Sequence, residues 1–360
     1  MSCLKRFGKV CMSLLVVLLL CAGVVTGAGM ARATSPIDPS PQLGFNTYVQ
    51  DLCQTESVWA GDAQGQFSEL KALGANSIAL AFPLYMASLT SNVVYADRVC
   101  GTDLQTPLPP RLSVAIAIAH SLHLRVFLRP LLVPLTGVGW RGTIHPTNTR
   151  SWFRSYLAAL APYLSLAQEQ NVEYFALSTE LDSMGKKSNW RSVIEGARRL
   201  YSGSLVFTIS WAYANMGKVT WGGTSPGLDA YEAVHLPPVA SISQLLNAWN
   251  HALHTTDKVP FRLSKGTMDE VAIPAQAGAY YEPWAWSLPP DEFPFDPSVQ
   301  ANWYAMVCRF FQSHKMKGIY FWGVWYRDGD AALPSQPSPG LAQEIQPASA
   351  QVIRNCFSEG

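Results

Sequence analysis

Charge is scarce in this chain. Of its 360 residues only 14% are Asp, Glu, Lys or Arg, and 26 basic against 25 acidic side chains leave a net charge of +1. Phosphate binding needs clustered positive charge, so a nucleic-acid groove is excluded. The pairs Lys186-Lys187 and Arg198-Arg199 are too short to make one and read as solvated helix faces. The cysteines lack CxxC or CxxH spacing, so no zinc site is expected. No Gly-rich phosphate loop follows the first apolar run, and no segment repeats at a fixed period. Disorder is excluded by the opposite excess: 48% of the residues are hydrophobic, enough for a sizeable core.

Aromatic residues are plentiful, with 12 Trp, 14 Tyr and 15 Phe. Most of them will be core, but flat rings also stack on the apolar faces of sugars. The first 33 residues read as a signal peptide. Lys5, Arg6 and Lys9 are followed by the apolar run Met12 to Val25 and then by Ala31-Arg32-Ala33, a small-x-small cleavage pattern. The run falls short of the ~20 residues a membrane span needs. Cys21 is a candidate lipid-anchoring cysteine, although Leu20 before it is larger than such a signal favours. Export without an anchor is the main expectation.

Cleavage after Ala33 leaves Cys53, Cys100, Cys308 and Cys356 of the seven cysteines. An even number in an exported chain suggests disulfides, and Cys53–Cys100 with Cys308–Cys356 is the sequence-local choice among three connectivities. Residues 34–42, rich in Pro and Ser, read as a linker into one domain, 43–360.

Within that domain, short β-branched or aromatic runs alternate with amphipathic stretches. The runs begin at Leu43, Asn76, Arg125, Tyr174, Leu205 and Leu228, lie within Phe261 to Ile273, and end with Gly318 to Trp322. The intervening helices are expected at about 64–73, 110–122, 149–170, 190–201, 241–254, 297–314 and 341–356, with only a weak helical signal after the fifth run. Runs such as Ser77-Ile-Ala-Leu-Ala-Phe82 are apolar on both faces, as buried parallel strands are. Eight such alternations predict a single-domain (β/α)8 barrel.

Barrel enzymes carry their chemistry at the C-terminal ends of the strands. The fourth run ends in Ser178-Thr179-Glu180-Leu181-Asp182 and the seventh in Asp269-Glu270-Val-Ala-Ile-Pro. Glycoside hydrolysis needs a pair of carboxyl groups around the scissile bond, and Glu180 and Glu270 are the candidate pair. A lone strand-end Glu is commonly structural; two, on strands four and seven, point to catalysis. Asp182 is expected in the loop, and strand alternation turns Asp269 to the face opposite Glu270. Candidate substrate contacts are Trp140, Arg141, Thr179, Tyr231, Tyr281, Trp284, Trp322 and Trp325, with Arg141 and Tyr231 also candidate partners of Glu270. His145 and His235 read as loop or core histidines.

The stretches Leu70 to Leu80, Ala119 to Pro130, Gly139 to Pro146 and Ser151 to Tyr156 resemble glycoside hydrolase family 113. So do Ser178-Thr-Glu-Leu181 and Asp269-Glu-Val-Ala-Ile-Pro274, which match the family's two catalytic positions. The resemblance spans Leu43 to Trp325. It implies a retaining mechanism, with Glu180 as acid/base and Glu270 as nucleophile, acting on β-mannan or a related β-linked polysaccharide. Many members of the wider clan carry Asn before the acid/base; here it is Thr179, which leaves room for a different sugar. The expected partner is thus an oligo- or polysaccharide, met by a secreted monomer without a cofactor. The competing readings are a β-glycosidase of other specificity and a catalytically dead glycan-binding barrel. Retention of both carboxylates disfavours the latter. A two-lobed periplasmic solute-binding protein is disfavoured by the eightfold alternation.

Overall fold

Apolar runs buried on both faces must be flanked by apolar layers on both sides, and the chain supplies them by closing its sheet on itself. The computed structural model describes residues 38–50, 53–97, 105–137, 139–214, 222–254, 263–326 and 342–359, except for the side chains of residues 253, 254, 325 and 326. Among these residues the strands are β1 (Gln42–Val49), β2 (Ser77–Met86), β3 (Arg125–Pro134), β4 (Tyr174–Thr179), β5 (Ser204–Ser210), β6 (Ser225–Asp229), β7 (Thr267–Val271) and β8 (Gly318–Tyr326). They form a closed barrel in sequence order, every neighbouring pair parallel, with β8 returning to β1. The architecture is a (β/α)8 barrel.

The helices are α1 (Glu56–Ala72), α2 (Pro109–Ser121), α3 (Thr149–Glu169), α4 (Trp190–Arg198), α5 (Trp211–Ala214), α6 (Ile242–His254), α7 (Pro297–Ser313) and α8 (Pro347–Ser358). Their starts follow from capping chemistry. Thr55, Asn148 and Asp296 accept hydrogen bonds from backbone N–H groups of the first turns of α1, α3 and α7, and Pro opens α2, α7 and α8. Helix α1 starts eight residues before the expected Gln64, because the Thr55 cap and the buried Trp59 extend it beyond its periodic part. Strand β6 runs Ser225–Asp229, opening three residues before the expected Leu228. After β5 the described helix is a single turn, as the weak helical signal there anticipated.

Outward-facing strand residues such as Ile78, Leu80 and Phe82 join the helices in the main core. A smaller cluster of Ala79, Phe127, Tyr174, Ala176, Val206 and Tyr320 fills the barrel interior. Two glycines make room inside: a Cβ on Gly44 would lie 2.6 Å from the Tyr320 ring, and one on Gly227 would lie 1.8 Å from a carboxylate oxygen of Asp269.

One face of β3 shows how the barrel is organised from end to end. Arg125 closes the N-terminal end, donating to the backbone oxygens of Asp38, Ser40 and Pro41 at 3.0, 2.9 and 2.7 Å. Phe127 packs in the middle. Arg129 reaches the C-terminal end, where the polar residues collect. A disulfide joins Cys308 of α7 to Cys356 of α8. Cys53 is also disulfide-bonded; Cys100 lies outside the described residues, as does the segment 1–37 with its cleavage pattern.

Candidate active site

An arginine in the middle of a protein must be paired, because burying an isolated charge is prohibitively costly. Arg129 is fully buried. Its Nη2 donates to both carboxylate oxygens of Asp229 at the end of β6, at 2.8 and 3.0 Å. Its Nη1 donates to Glu270 Oε2 at 3.1 Å, to Asn46 Oδ1 at 2.6 Å and to the Asp269 carbonyl at 3.0 Å. Asn46, on β1, returns a hydrogen bond to the same carbonyl. Tyr231 completes the grip on Glu270, its hydroxyl donating to Oε1 at 2.7 Å. Each oxygen of Glu270 therefore has its own donor.

The conformation of β7 makes this possible. Met268 and Val271 both face the outer core, leaving two consecutive residues between them. Asp269 faces inwards, its carboxylate accepting hydrogen bonds from Thr208 and Thr267, and Glu270 faces inwards as well, onto Arg129. The register against both β6 and β8 slips at this point. Such a bulge breaks the alternation that would have sent Asp269 to the opposite face from Glu270. That expectation is corrected accordingly.

Glu180 follows β4 directly and adopts a left-handed φ of 53°, a conformation that costs a non-glycine residue about 1 kcal/mol or more. The surrounding structure holds it. Its N–H donates to the Thr208 carbonyl, and Asp182, two residues on, accepts hydrogen bonds from the hydroxyl and N–H of Ser210 on β5. Ser183 donates to the Ile144 carbonyl. The Glu180 carboxylate receives the Trp140 indole N–H at 2.9 Å and Arg141 Nη1 at 2.8 Å, both on Oε2. Arg141 thus contacts Glu180; the ion pair of Glu270 is with Arg129.

The electrostatics follow from burial. Burial raises Glu270 above the ordinary carboxylate range, Arg129 and the Tyr231 hydrogen bond oppose it, and the Glu180 charge adds to the rise. Asp229 is raised for the same reason, again against Arg129. Burial pushes Asp182 up to about 6 against its Ser210 hydrogen bonds, and Asp269 up to about 6 against Arg129 and the two threonine hydroxyls. Tyr231 is raised by burial and by Glu270, so its hydroxyl stays protonated and can donate.

Glu180 and Glu270 open onto one cavity of about 680 Å³ at the C-terminal end of the barrel, within the usual size range of a small-molecule site. Glu180, Glu270, Trp140, Arg141, Tyr231, Trp284 and Trp322 line it, together with Ser210, Trp211, Asp229, Trp286 and Gln343. Tyr281 does not. It lies in the short turn Ala279–Tyr281, half exposed, and its ring packs edge-on against His235 instead of on the cavity wall. Thr179 is buried, off the cavity wall, and its hydroxyl has no hydrogen-bond partner. The backbone of Trp325, in β8, pairs with Tyr48 of β1, while its side chain lies outside the described residues.

Arg129, Asp229 and Asn46 were not among the sequence candidates. A usable signal existed, since Arg-Val-Phe-Leu-Arg places two arginines on one face of an otherwise apolar strand. Gly223-Thr-Ser-Pro-Gly227 has the G-x-S-x-G spacing of serine hydrolases. Ser225, however, opens β6 at the far end of the barrel and sits 3.3 Å from the Ser204 hydroxyl, so it is no strand-to-helix nucleophile elbow.

The class of protein is a glycoside hydrolase. More particularly, the chain belongs to glycoside hydrolase family 113, whose family model matches residues 52–332. Among solved structures, a family 113 β-1,4-mannanase superposes with a TM-score of 0.71 at 17% identity, covering 89% of this chain and 100% of its own. A family 113 β-mannanase from Alicyclobacillus acidocaldarius, in complex with ManMIm, gives 0.68 at 19% identity, with 90% and 99% covered. An exo-β-1,4-mannosidase from Opitutaceae bacterium strain TAV5 gives 0.53 at 10% identity, with 89% and 59% covered. No curated protein matches the chain by sequence.

Proposed function

We propose that this protein is an exported retaining hydrolase of β-1,4-mannan or a closely related β-glycan, with Glu270 as nucleophile and Glu180 as acid/base. The observation that carries the assignment is the pairing of two glutamates on one cavity, each held by its own cation and a second donor. In the first step a Glu270 oxygen attacks the anomeric carbon while Glu180 gives its proton to the departing glycosidic oxygen. The C–O bond breaks and a glycosyl ester of Glu270 forms. In the second step Glu180, now a carboxylate, takes a proton from water; the oxygen of that water attacks the anomeric carbon, and Glu270 leaves. The fixed donors on Glu270 keep it from swinging away from the sugar, an orientation effect.

Mannan is favoured by membership of a family whose solved structures include β-mannanases. The Cys308–Cys356 disulfide agrees with export into an oxidising compartment. Hydrolysis of a panel of β-glycans and aryl β-glycosides by wild type, Glu180→Gln and Glu270→Gln tests the proposal. Loss of mannan hydrolysis in both variants is expected. Glu180→Gln should retain more activity towards an aryl glycoside with an acidic leaving group, which needs no proton, than towards mannan. Near-normal turnover in Glu270→Gln would overturn the assignment, and a preference for another β-glycan would replace the substrate alone.

A further inference from the structure

A sugar that enters the cavity leaves the water that satisfied its hydroxyl groups, and each hydroxyl left without a partner there weakens binding. Indole rings apart, the polar side chains on the wall are few, and almost all are already hydrogen-bonded within the protein. Asp229 accepts from Arg129, Tyr231 donates to Glu270, Arg141 donates to Glu180, and Ser210 donates to Asp182. Glu180 and Glu270 are themselves reserved for the anomeric carbon and the departing oxygen. The remaining wall is indole, Ala, Ile and Pro. Gln343 is the exception. It borders the cavity, partly buried, and its amide makes no hydrogen bond to another described residue.

The backbone that carries this amide is tied down on both sides. The Ala342 carbonyl accepts the Ala275 N–H at 2.6 Å. The Glu344 carbonyl accepts from the side chain of Gln300, wholly buried in α7, at 3.0 Å. The same Gln300 amide donates to the Ile273 carbonyl at 3.0 Å and accepts the Gln346 N–H at 2.9 Å. Gln300 thus fastens residues 342–346 to the stretch following Glu270, where Ile273 and Pro274 also border the cavity. The Cys308–Cys356 disulfide joins α7 to α8, the helix that this segment enters. A backbone fixed in advance loses little freedom on binding. A carboxamide offers two N–H donors and an acceptor in one plane without adding charge beside the two glutamates, a set that suits the neighbouring hydroxyls of a sugar ring. Gln343 lies outside residues 52–332, so the family match assigns it no role.

We propose that Gln343 is a specificity-determining residue, its amide hydrogen-bonding hydroxyl groups of a neutral sugar in the cavity and selecting their configuration. This rests on the β-glycan reading of the cavity. The test is kcat/KM for wild type, Gln343→Leu and the control Gln351→Leu on β-1,4-linked tetrasaccharides of mannose, glucose and galactose. Leucine keeps much of the volume of the side chain and removes its hydrogen bonds. The expected loss in Gln343→Leu is at least about fivefold on the best substrate and under about twofold on the poorest, whose hydroxyls the amide does not meet. Gln351→Leu, on the exposed face of α8, should match wild type. Tetrasaccharide affinities measured on Glu270→Gln, with and without Gln343→Leu, should narrow in the same way, including for sugars the enzyme does not cleave. Gln343→Ala gives the same readouts should the leucine variant fail to fold. An equal loss on all three sugars, or no loss, would overturn the assignment. Failure of the catalytic reading shows elsewhere, as activity surviving in Glu180→Gln and Glu270→Gln.

Discussion

Replacing Arg129 by methionine separates the stability of the barrel mouth from its chemistry. The guanidinium is wholly buried between Asp229, also wholly buried, and Glu270. Removing it leaves the Asp229 carboxylate in an apolar interior without its bidentate partner, and breaking a buried pair in this way costs about 3–5 kcal/mol. A chain of about 320 folded residues unfolds with an entropy near 0.7 kcal/mol/K, so the melting point of Arg129→Met should fall by roughly 5–7 °C. Exchanging both partners for apolar residues of similar volume, Arg129→Met with Asp229→Leu, removes the stranded charge as well. That double variant should recover the share of the loss due to Asp229, leaving the cost of Glu270 without its cation, about 1.5–3 kcal/mol.

Activity should not recover with it. Glu270 loses a charge-assisted hydrogen bond worth about 1.5–3 kcal/mol in both variants, and kcat/KM should fall roughly 10- to 150-fold. Arg129 is also the main influence holding the Glu270 carboxyl down against burial. The acidic limb of the pH–rate profile should therefore move to higher pH, because a nucleophile with a raised pKa is protonated at pH values where the wild type still works. Chemical denaturation and pH profiles of the three proteins decide the matter. A double variant no more stable than the single one would refute the buried-charge argument.

Tyr231→Phe deletes one hydrogen bond to Glu270 without disturbing the ion pair, so its acidic limb should also rise and kcat should drop at least tenfold; an unmoved limb would remove Tyr231 from the site. Cys308→Ser opens a loop spanning 48 residues, for which chain entropy gives a loss of about 4 kcal/mol, measurable by denaturant unfolding; a loss below 1 kcal/mol would count against that account. Asp269 has its folded pKa raised from 3.8 to about 6, so the folded state holds the proton more tightly and stability falls as pH rises through that window, by about 3 kcal/mol in all. Asp269→Asn should lack this part of the decline, and parallel unfolding curves of the two proteins between pH 4 and 7 would contradict it.

Much of this architecture was legible in the sequence because the physics behind it is periodic. Runs apolar on both faces mark β2 and β3, and the places where apolar runs give way to Glu180 and Glu270 mark the mouth of the barrel. Trp140, Arg141, Tyr231, Trp284 and Trp322 were legible as polar or aromatic residues beside strand ends, and all reach the cavity. Tyr281 was not distinguishable from Trp284, since both belong to one aromatic stretch and only the turn at Ala279–Tyr281 separates their directions. Arg129 and Asp229 were passed over because each looks like an interior position of a strand. Burial is what makes them a pair, and a hundred residues of chain lie between them.

The remaining illegibility has one physical source. The register slips at Asn46/Thr47, at Ala176/Ser178 and around Asp269 and Glu270, and residues there or just beyond carry the site. A regular β7 with Met268 facing out and Asp269 facing in would point Glu270 outwards among the helices. Arg129 would then lose its second carboxylate and Tyr231 its acceptor. The extra residue in the bulge lets consecutive side chains serve different ends: Asp269 ties β7 to Thr208 of β5 inside the barrel, and Glu270 is delivered to the cavity above it. No composition or period records that choice, because a bulge arises where local hydrogen bonding outweighs the regular ladder. In this barrel the outweighing bonds come from Asn46 and Arg129 to the Asp269 carbonyl. Those bonds bind the bulge to the same arginine that binds the candidate nucleophile, so the geometry of β7 and the ionisation of Glu270 should change together in any Arg129 variant.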